Sequence, residues 1–361
     1  MRYDAIIIGS GQAGTPLAKA LAERGWKIAV AEASHIGGTC VNTGCTPTKT
    51  LVASARVAHL ARRSADYGVS TGSVEVDFKR VMERQHTIVE QFRAGSERRL
   101  THSNITLFRD YANFTAPHRL SVGGTAIEAD RIYINTGARP ALPPLPGLDS
   151  VPYLDNESIL KLETLPEHLV ILGGGYIGLE YAQMFRRFGS AVTIIDRGAQ
   201  IMGREDADIA QAAAEVLRGE GIAIWTNAAA QQLAPQGNGV RVTVEQDGQT
   251  HTITGSHLLV AVGRQPNSDQ LHLDAAGIET DKRGYITVDD YLQTTVPGVW
   301  ALGDVNGRGA FTHTSYHDYE IILDHLDGGP RKVTDRIPTY AVYTDPPLGR
   351  VGMTESEVRQ S

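Results

Sequence analysis

Residues 3–14 read Tyr3-Asp4-Ala5-Ile6-Ile7-Ile8-Gly9-Ser10-Gly11-Gln12-Ala13-Gly14. An apolar strand runs straight into glycines spaced Gly-x-Gly-x-x-Gly, and an apolar-periodic helix follows to about Arg24. A second strand, Lys27 to Ala31, ends at Glu32. The same plan recurs farther along. Leu169 to Leu172 leads into Gly173-x-Gly175-x-x-Gly178, a helix extends to about Phe188, and the strand Ala191 to Ile195 ends at Asp196. In both copies the acid stands 23 residues after the first glycine. Each copy is a βαβ unit in the context of a dinucleotide-binding fold.

One such match alone is weak, because glycine-rich turns also serve merely to close a strand onto a helix. Two matches with an acid at the same offset carry a mechanism. The glycines let a pyrophosphate approach the backbone, the helix start supplies unpaired N–H groups and partial positive charge, and the acid accepts hydrogen bonds from an adenosine ribose. Glu32 and Asp196 are the two candidate acids. Two sites in one chain imply two dinucleotides, most simply FAD and NAD(P)H.

Between the copies stands Gly37-Gly38-Thr39-Cys40-Val41-Asn42-Thr43-Gly44-Cys45-Thr46-Pro47-Thr48-Lys49, which holds the only two cysteines. They admit three readings: small buried hydrophobes, half of a zinc site, or a reversible disulfide. Zinc normally takes four ligands, and no further cysteine exists to supply them. A disulfide cannot close along a regular helix, where residues five apart are separated by ~7.5 Å along the axis. It requires a distorted turn, for which Gly44 supplies the freedom. A position at the start of a helix opening at Pro47 would lower a thiolate pKa.

The 361 residues suffice for two or three domains with buried cores. Pro47 to Ser64 and Phe78 to Leu100 read as helices, and Ile105 to Val122 as short strands. The proline-rich stretch Pro140 to Gly147 marks a boundary. Further strands are expected at Val240–Glu245, Leu258–Val262, Val299–Leu302 and Tyr340–Tyr343, with a short helix from near Thr354. The net charge of -7 argues against nucleic acid as a partner. The four-residue apolar run at the N-terminus is far short of the ~20 that a membrane-spanning helix needs, so no membrane partner is expected and the chain is read as cytoplasmic.

The segment around Cys40 and Cys45 resembles the redox-active motif of the class I pyridine nucleotide-disulfide oxidoreductases, which include dihydrolipoyl dehydrogenase, glutathione reductase and mercuric reductase. Further segments match in order: Asn135-Thr136-Gly137-Ala138, Ala261-Val262-Gly263-Arg264-Gln265-Pro266-Asn267 and Ala301-Leu302-Gly303-Asp304. Asp304-Val305-Asn306-Gly307 and Phe311-Thr312-His313-Thr314 resemble the mercuric-reductase-like branch, which also holds flavoproteins that reduce copper(II) and resist reactive chlorine. The resemblance implies an α/β fold with two Rossmann-like dinucleotide-binding domains, the FAD domain being discontinuous. Residues 1–147 would form its first part, 148–266 the NAD(P) domain, 267–336 the second FAD or central part, and 337–361 the start of an interface domain.

The resemblance also assigns roles. Cys45 resembles the flavin-proximal sulfur and Cys40 the interchange sulfur. Lys49 and Glu180 resemble an ion pair beside the flavin. Gly9, Gly11, Gly14, Glu32, Gly38, Thr39, Thr136, Gly137 and Asp304 would bind FAD. Gly173, Gly175, Gly178, Asp196, Arg197 and Gly263 would serve the nicotinamide nucleotide, and Tyr176 resembles the gate through which nicotinamide enters. Asp196 favours NADH by accepting from a ribose 2′-hydroxyl, although the adjacent Arg197 could pair with a 2′-phosphate. His313 reads as a structural or surface histidine rather than the catalytic base. The family's acid–base histidine lies in a C-terminal interface domain of which only the opening, including Thr344-Asp345-Pro346-Pro347, is present. The sequence is therefore read as a piece of a longer homodimeric enzyme, with its own dimerisation in doubt. The expected path runs from NAD(P)H through FAD to the cysteine pair, and on to a disulfide or a soft metal ion such as Hg(II) or Cu(II), with no resident metal. Two rival readings are a direct NAD(P)H:quinone or oxygen reductase and a flavin-binding redox sensor without turnover.

Overall fold

The protein is described by a computed structural model covering residues 1–361. The helices, in chain order, are α1 (Gly14–Glu23), α2 (Gly38–Asn42), α3 (Cys45–Arg62), α4 (Phe78–Arg99), α5 (Tyr176–Phe188), α6 (Ala207–Gly219), α7 (Leu273–Ala276), α8 (Thr312–Leu326) and α9 (Glu355–Gln360). The chain forms two compact units. One comprises Met1–Thr46, Val89–Arg139 and Arg264–Ile337, and the other Pro47–Ile88, Pro140–Gly263 and Pro338–Ser361.

The first unit is centred on a five-stranded parallel sheet in the order Val299–Ala301, Ile132–Ile134, Ala5–Ile8, Ile28–Ala31, Ile105–Phe108. Ala5 to Ile8 are all buried because a central parallel strand is covered on both faces, which is why the sequence shows an unbroken apolar run rather than alternation. Each of its isoleucines removes side-chain surface worth about 1.5–3 kcal/mol from water. A smaller four-stranded sheet holds Arg2–Tyr3, Thr125–Ala129, Arg119–Val122 and Ala112–Ala116.

The second unit repeats the parallel core on a reduced scale, in the order Ala223–Trp225, Ala191–Ile195, His168–Leu172, His257–Val260. The two glycine-preceding strands share their register: Ile8 pairs with Ala31, and Leu172 with Ile195. A three-stranded antiparallel meander, Ala228–Gln236, Gly239–Gln246 and Gln249–Gly255, packs Val240, Val242 and Val244 against Val170 and Leu258. Two segments that sequence segmentation keeps apart from this unit join its core. Leu51, Ala55, Phe78 and Met82 of α3 and α4 cluster with Phe185 and Phe188, and so does Val342 of the C-terminal hairpin Thr339–Val342/Leu348–Val351. Burial of these apolar faces, rather than proximity along the chain, sets the partition.

The helix expected from Pro47 begins at Cys45 instead. A proline in the first turn costs no hydrogen bond, since those N–H groups have no intrahelical acceptor, so Pro47 permits the earlier start. No helix is long and apolar enough to cross a membrane.

Candidate active site

In the first unit, three glycines make a cradle whose shape leaves no room for side chains. A Cβ on Gly9 would lie 2.3 Å from the Asn135 carbonyl oxygen, and one on Gly14 would lie 2.1 Å from the Gly9 oxygen. Gly9 is also left-handed, at φ 96°. Glu32 closes the turn: one carboxylate oxygen accepts from the Ser10 N–H at 2.9 Å and hydroxyl at 2.6 Å, and the other from the Ser34 N–H at 2.9 Å. Each oxygen keeps acceptor capacity beyond these bonds. Asn135 braces the cradle, accepting from the Gly14 N–H at 2.9 Å and donating to the Leu302 carbonyl at 2.8 Å. Gly38 crosses so close that its Cβ would stand 2.9 Å from the Gly11 Cα. Thr136 donates to the Asn267 carbonyl at 2.8 Å, and the Gly137 carbonyl accepts from the Asn267 N–H at 3.0 Å.

The turn that carries Asp304 belongs to the same unit. Desolvation raises the Asp304 pKa, partly offset by Arg264, whose Nε lies 3.6 Å away. That Nε is buried without a hydrogen-bond partner. A half-buried carboxylate disfavoured as an ion, next to an unsatisfied guanidinium N–H, suits a polyhydroxyl ligand able to donate to one and accept from the other. Asp318, itself buried, fixes the turn by accepting from the Gly303 N–H at 2.7 Å and from Asn306 at 3.1 Å. Together with the cradle, these residues fit a flavin dinucleotide.

Cys40 lies in α2 and Cys45 is the first residue of α3, with a helix break at Thr43 and Gly44 between them. Both cysteines are half-buried. Gly44 supplies something other than conformational freedom. It is absent from the left-handed residues, but a Cβ there would lie 2.9 Å from the Thr39 carbonyl, so the turn requires the missing side chain. Asn42 holds α2 in place by donating to the Gly38 carbonyl at 2.9 Å, while Arg93 donates to Asn42 at 2.8 Å. The Cys45 sulfur stands 3.1 Å from the hydroxyl of Thr312, the first residue of α8. The sulfur thus lies at the start of one long helix and against the first residue of another. His313 stacks on Phe311, with ring centroids 5.6 Å apart.

The second unit repeats the glycine geometry. A Cβ on Gly173 would lie 2.4 Å from the Ala261 oxygen, and one on Gly178 would lie 2.2 Å from the Gly173 oxygen. Asp196 mirrors Glu32: one oxygen accepts from the Gly174 N–H at 2.5 Å, the other from the Gly198 N–H at 2.6 Å. Arg197 is exposed beside it. Around Gly175 the copies differ, since a Cβ there would meet no atom within 4 Å, and the same holds for Gly263. An accessible glycine loop followed by a fixed carboxylate fits a nicotinamide dinucleotide.

Lys49 and Glu180 form an ion pair, Nζ to Oε2 at 2.5 Å. The other Glu180 oxygen accepts from the Tyr343 N–H at 2.9 Å, and Lys49 Nζ lies 4.5 Å from the Tyr343 ring centroid. Tyr176, the first residue of α5, donates to Glu205 at 2.5 Å, and its hydroxyl oxygen lies 3.0 Å from that of Tyr340. Burial, reinforced by the bond to Glu205, pushes its hydroxyl far above the ordinary phenol range, so it remains a donor. The partners Thr312, Asn135, Glu205, Tyr340 and Tyr343 had no sequence-derived role. Asn135, beside Thr136-Gly137, and Thr312, within Phe311-Thr312-His313-Thr314, lie in segments that match the family, and the other three carry no local signal. No group of three or more His, Cys, Asp or Glu side chains is placed to hold a metal ion.

Two glycine loops of matching geometry and a cysteine pair set at a helix break fit a flavin- and nicotinamide-linked disulfide oxidoreductase, and the chain belongs to that family. Residues 3–318 match the pyridine nucleotide-disulphide oxidoreductases. The probable pyridine nucleotide-disulfide oxidoreductase RclA of Escherichia coli is 42% identical over 371 residues, spanning 100% of this chain and 79% of that protein. The mercuric reductase of Lysinibacillus sphaericus is 34% identical over 99% of this chain and 66% of its own length. The dihydrolipoyl dehydrogenase of Bacillus subtilis is 32% identical over 98% of this chain and 78% of its own. The solved Cu(II) complex of the HOCl-induced flavoprotein disulfide reductase RclA superposes with a TM-score of 0.91 at 40% identity, covering 100% of this chain and 79% of that one. The chain is thus an FAD-dependent oxidoreductase that uses NAD(P)H, with the α/β fold the sequence implied.

Proposed function

We propose that the chain passes electrons from NADH to the Cys40–Cys45 pair and from there to a soft metal ion or a disulfide. The observation that carries this reading is Cys45 at the start of α3 with its sulfur 3.1 Å from Thr312 at the start of α8. Bound FAD supplies the step that accepts two electrons from the nicotinamide and delivers them to a disulfide. The protein's own residues do the rest. The Thr312 hydroxyl donates to Cys45 as its thiolate forms, and the helix starts add favourable potential. Cys40, on the short and braced α2, is the sulfur we assign to the substrate. Asp304 and the Gly9–Gly14 cradle hold the flavin dinucleotide. The Gly173–Gly178 loop holds the nicotinamide nucleotide, Tyr176 gates it, and Lys49 with Glu180 fixes charge where the nicotinamide reacts.

NADH is favoured over NADPH because both Asp196 oxygens are pinned by backbone N–H groups, so the carboxylate cannot swing away from a 2′-phosphate. Two thiolates suit Cu(II) or Hg(II) as substrate, since soft sulfur ligands select soft metals. The solved Cu(II) complex of the homologous RclA supports that choice of substrate class. Cys40→Ser tests the assignment. It is expected to leave reduction of bound flavin by NADH intact while lowering turnover with Cu(II) or a disulfide by about a hundredfold or more. Undiminished turnover would mean that acceptors such as quinone or oxygen react at the flavin directly.

A further inference from the structure

Tyr176 is held by a set of residues that the electron path does not use. Its hydroxyl donates to Glu205 at 2.5 Å, and its ring lies against Tyr340, with centroids 5.3 Å apart and planes inclined by 32°. Tyr340 donates to the same Glu205 oxygen. Arg350 spans the group, 3.0 Å from the Tyr340 hydroxyl and 3.7 Å from the second Glu205 oxygen. Glu205 is buried, and a buried carboxylate is held by its donors.

Its position follows from the glycine loop itself. The loop between Asp196 and α6 returns to hydrogen-bond the Gly174 carbonyl through the Met202 N–H at 2.8 Å. Met202 adopts φ 51°, left-handed for a residue with a side chain, and the Glu205 N–H then bonds to its carbonyl at 2.8 Å. Strain of that kind persists where the surroundings over-determine the backbone. Tyr176 immediately follows Gly175, at the one point of the loop where a Cβ would meet no atom.

We infer that Glu205 and Tyr340 are positioning residues that latch Tyr176 across the mouth of the nicotinamide-nucleotide loop, so that nucleotide binding must break their shared hydrogen bonds. The inference rests on the reading of Tyr176 as the gate and extends it, because the latch ties nucleotide binding to the C-terminal hairpin. A closed gate lowers apparent affinity by the fraction of molecules open, so weakening the latch tightens binding.

The test titrates the FAD-loaded protein with NAD⁺, and with NADP⁺ in parallel, by calorimetry, and follows hydrogen exchange in Thr339–Val342. Tyr340→Phe keeps the ring stack and loses the hydroxyl; Glu205→Gln keeps the shape and loses the charge. Each is expected to tighten nucleotide binding by about threefold to tenfold. Nucleotide should speed exchange in Thr339–Val342 of the parent and not in Tyr340→Phe. Ser356→Ala removes a hydroxyl bonded to Asp206 at 2.5 Å, a contact that only docks the C-terminal segment, and is expected to leave affinity unchanged. Unchanged affinity in Tyr340→Phe, or an equal change in Ser356→Ala, would overturn the latch. If Tyr176→Ala then still shifts affinity, the gate survives without it; if Tyr176→Ala has no effect either, the gate reading falls as well. Should Glu205→Gln fail to fold, Tyr340→Phe decides alone.

Discussion

The two dinucleotide motifs share their backbone plan but not their finish. In both, a Cβ on the first glycine would fall against the carbonyl that follows a neighbouring strand, 2.3 Å away for Gly9 and 2.4 Å for Gly173, and one on the third would fall against the first glycine's carbonyl oxygen, 2.1 Å away for Gly14 and 2.2 Å for Gly178. In both, an acid clamps the residue after the first glycine. They diverge at the middle glycine. Gly11 is enclosed, with its Cβ position 2.9 Å from Asn135 Oδ1, whereas that of Gly175 is open and backed only by Tyr176. The first motif is locked by a buried side chain, and the second is the one we infer to be closed by the latched Tyr176. That difference matches a cofactor that stays bound and a nucleotide that exchanges on every turnover.

The widest separation should come from the third glycines. Gly14→Ala is expected to give protein with FAD content reduced about tenfold or more, because the clash falls on backbone that cannot yield. Gly178→Ala should keep its flavin, which dithionite reduces and NADH does not; absorbance spectra before and after each reductant check both. Loss of flavin from both variants would erase the distinction. Asn135→Ala sharpens it from the other side, since the second motif has no such brace. Removing two buried hydrogen bonds should cost about 2–4 kcal/mol of stability and loosen FAD, as read by thermal unfolding and flavin release. Gly175→Ala should do the reverse. At φ -79° alanine is unstrained, so stability is expected to rise by about 0.4–1 kcal/mol while NADH affinity falls about tenfold.

The smallest effect concerns pH. Burial lowers the pKa of His59, His168 and His257 in the second unit and of His317 in the first. A histidine whose folded pKa lies below its unfolded value of about 6.5 stays neutral in the native state while the unfolded chain takes up the proton, so stability is lost as pH falls through that value. With three such groups against one, the second unit should lose hydrogen-exchange protection faster between pH 7.5 and 5.5. Equal loss in the two units would contradict this.

The comparison was partly legible in the sequence. The glycine triads and the acids that follow them lie within one βαβ unit, so local spacing reveals them. Cys40 and Cys45 were legible as a pair, but the turn between them was misjudged, because the close approach of Thr39 to Gly44 is a packing fact without a sequence signature. The start of α3 lies two residues before Pro47, because a proline fits anywhere in a helix's first turn and so does not mark its first residue. Thr312 stands 267 residues from Cys45, and Tyr340 164 from Tyr176. Partners at such separations are set by tertiary packing, and no periodicity or motif in either segment points to the other.

The central claim is that the cysteine pair receives the electrons that NADH delivers to the flavin. One equivalent of NADH added anaerobically to the FAD-loaded protein, followed by visible spectroscopy, tests it most directly. The account predicts a new long-wavelength charge-transfer band from the Cys45 thiolate against oxidised flavin, and its loss in Cys45→Ser. Direct bleaching of the flavin with no such band in the parent protein would show that the pair is not connected to FAD and would contradict the account.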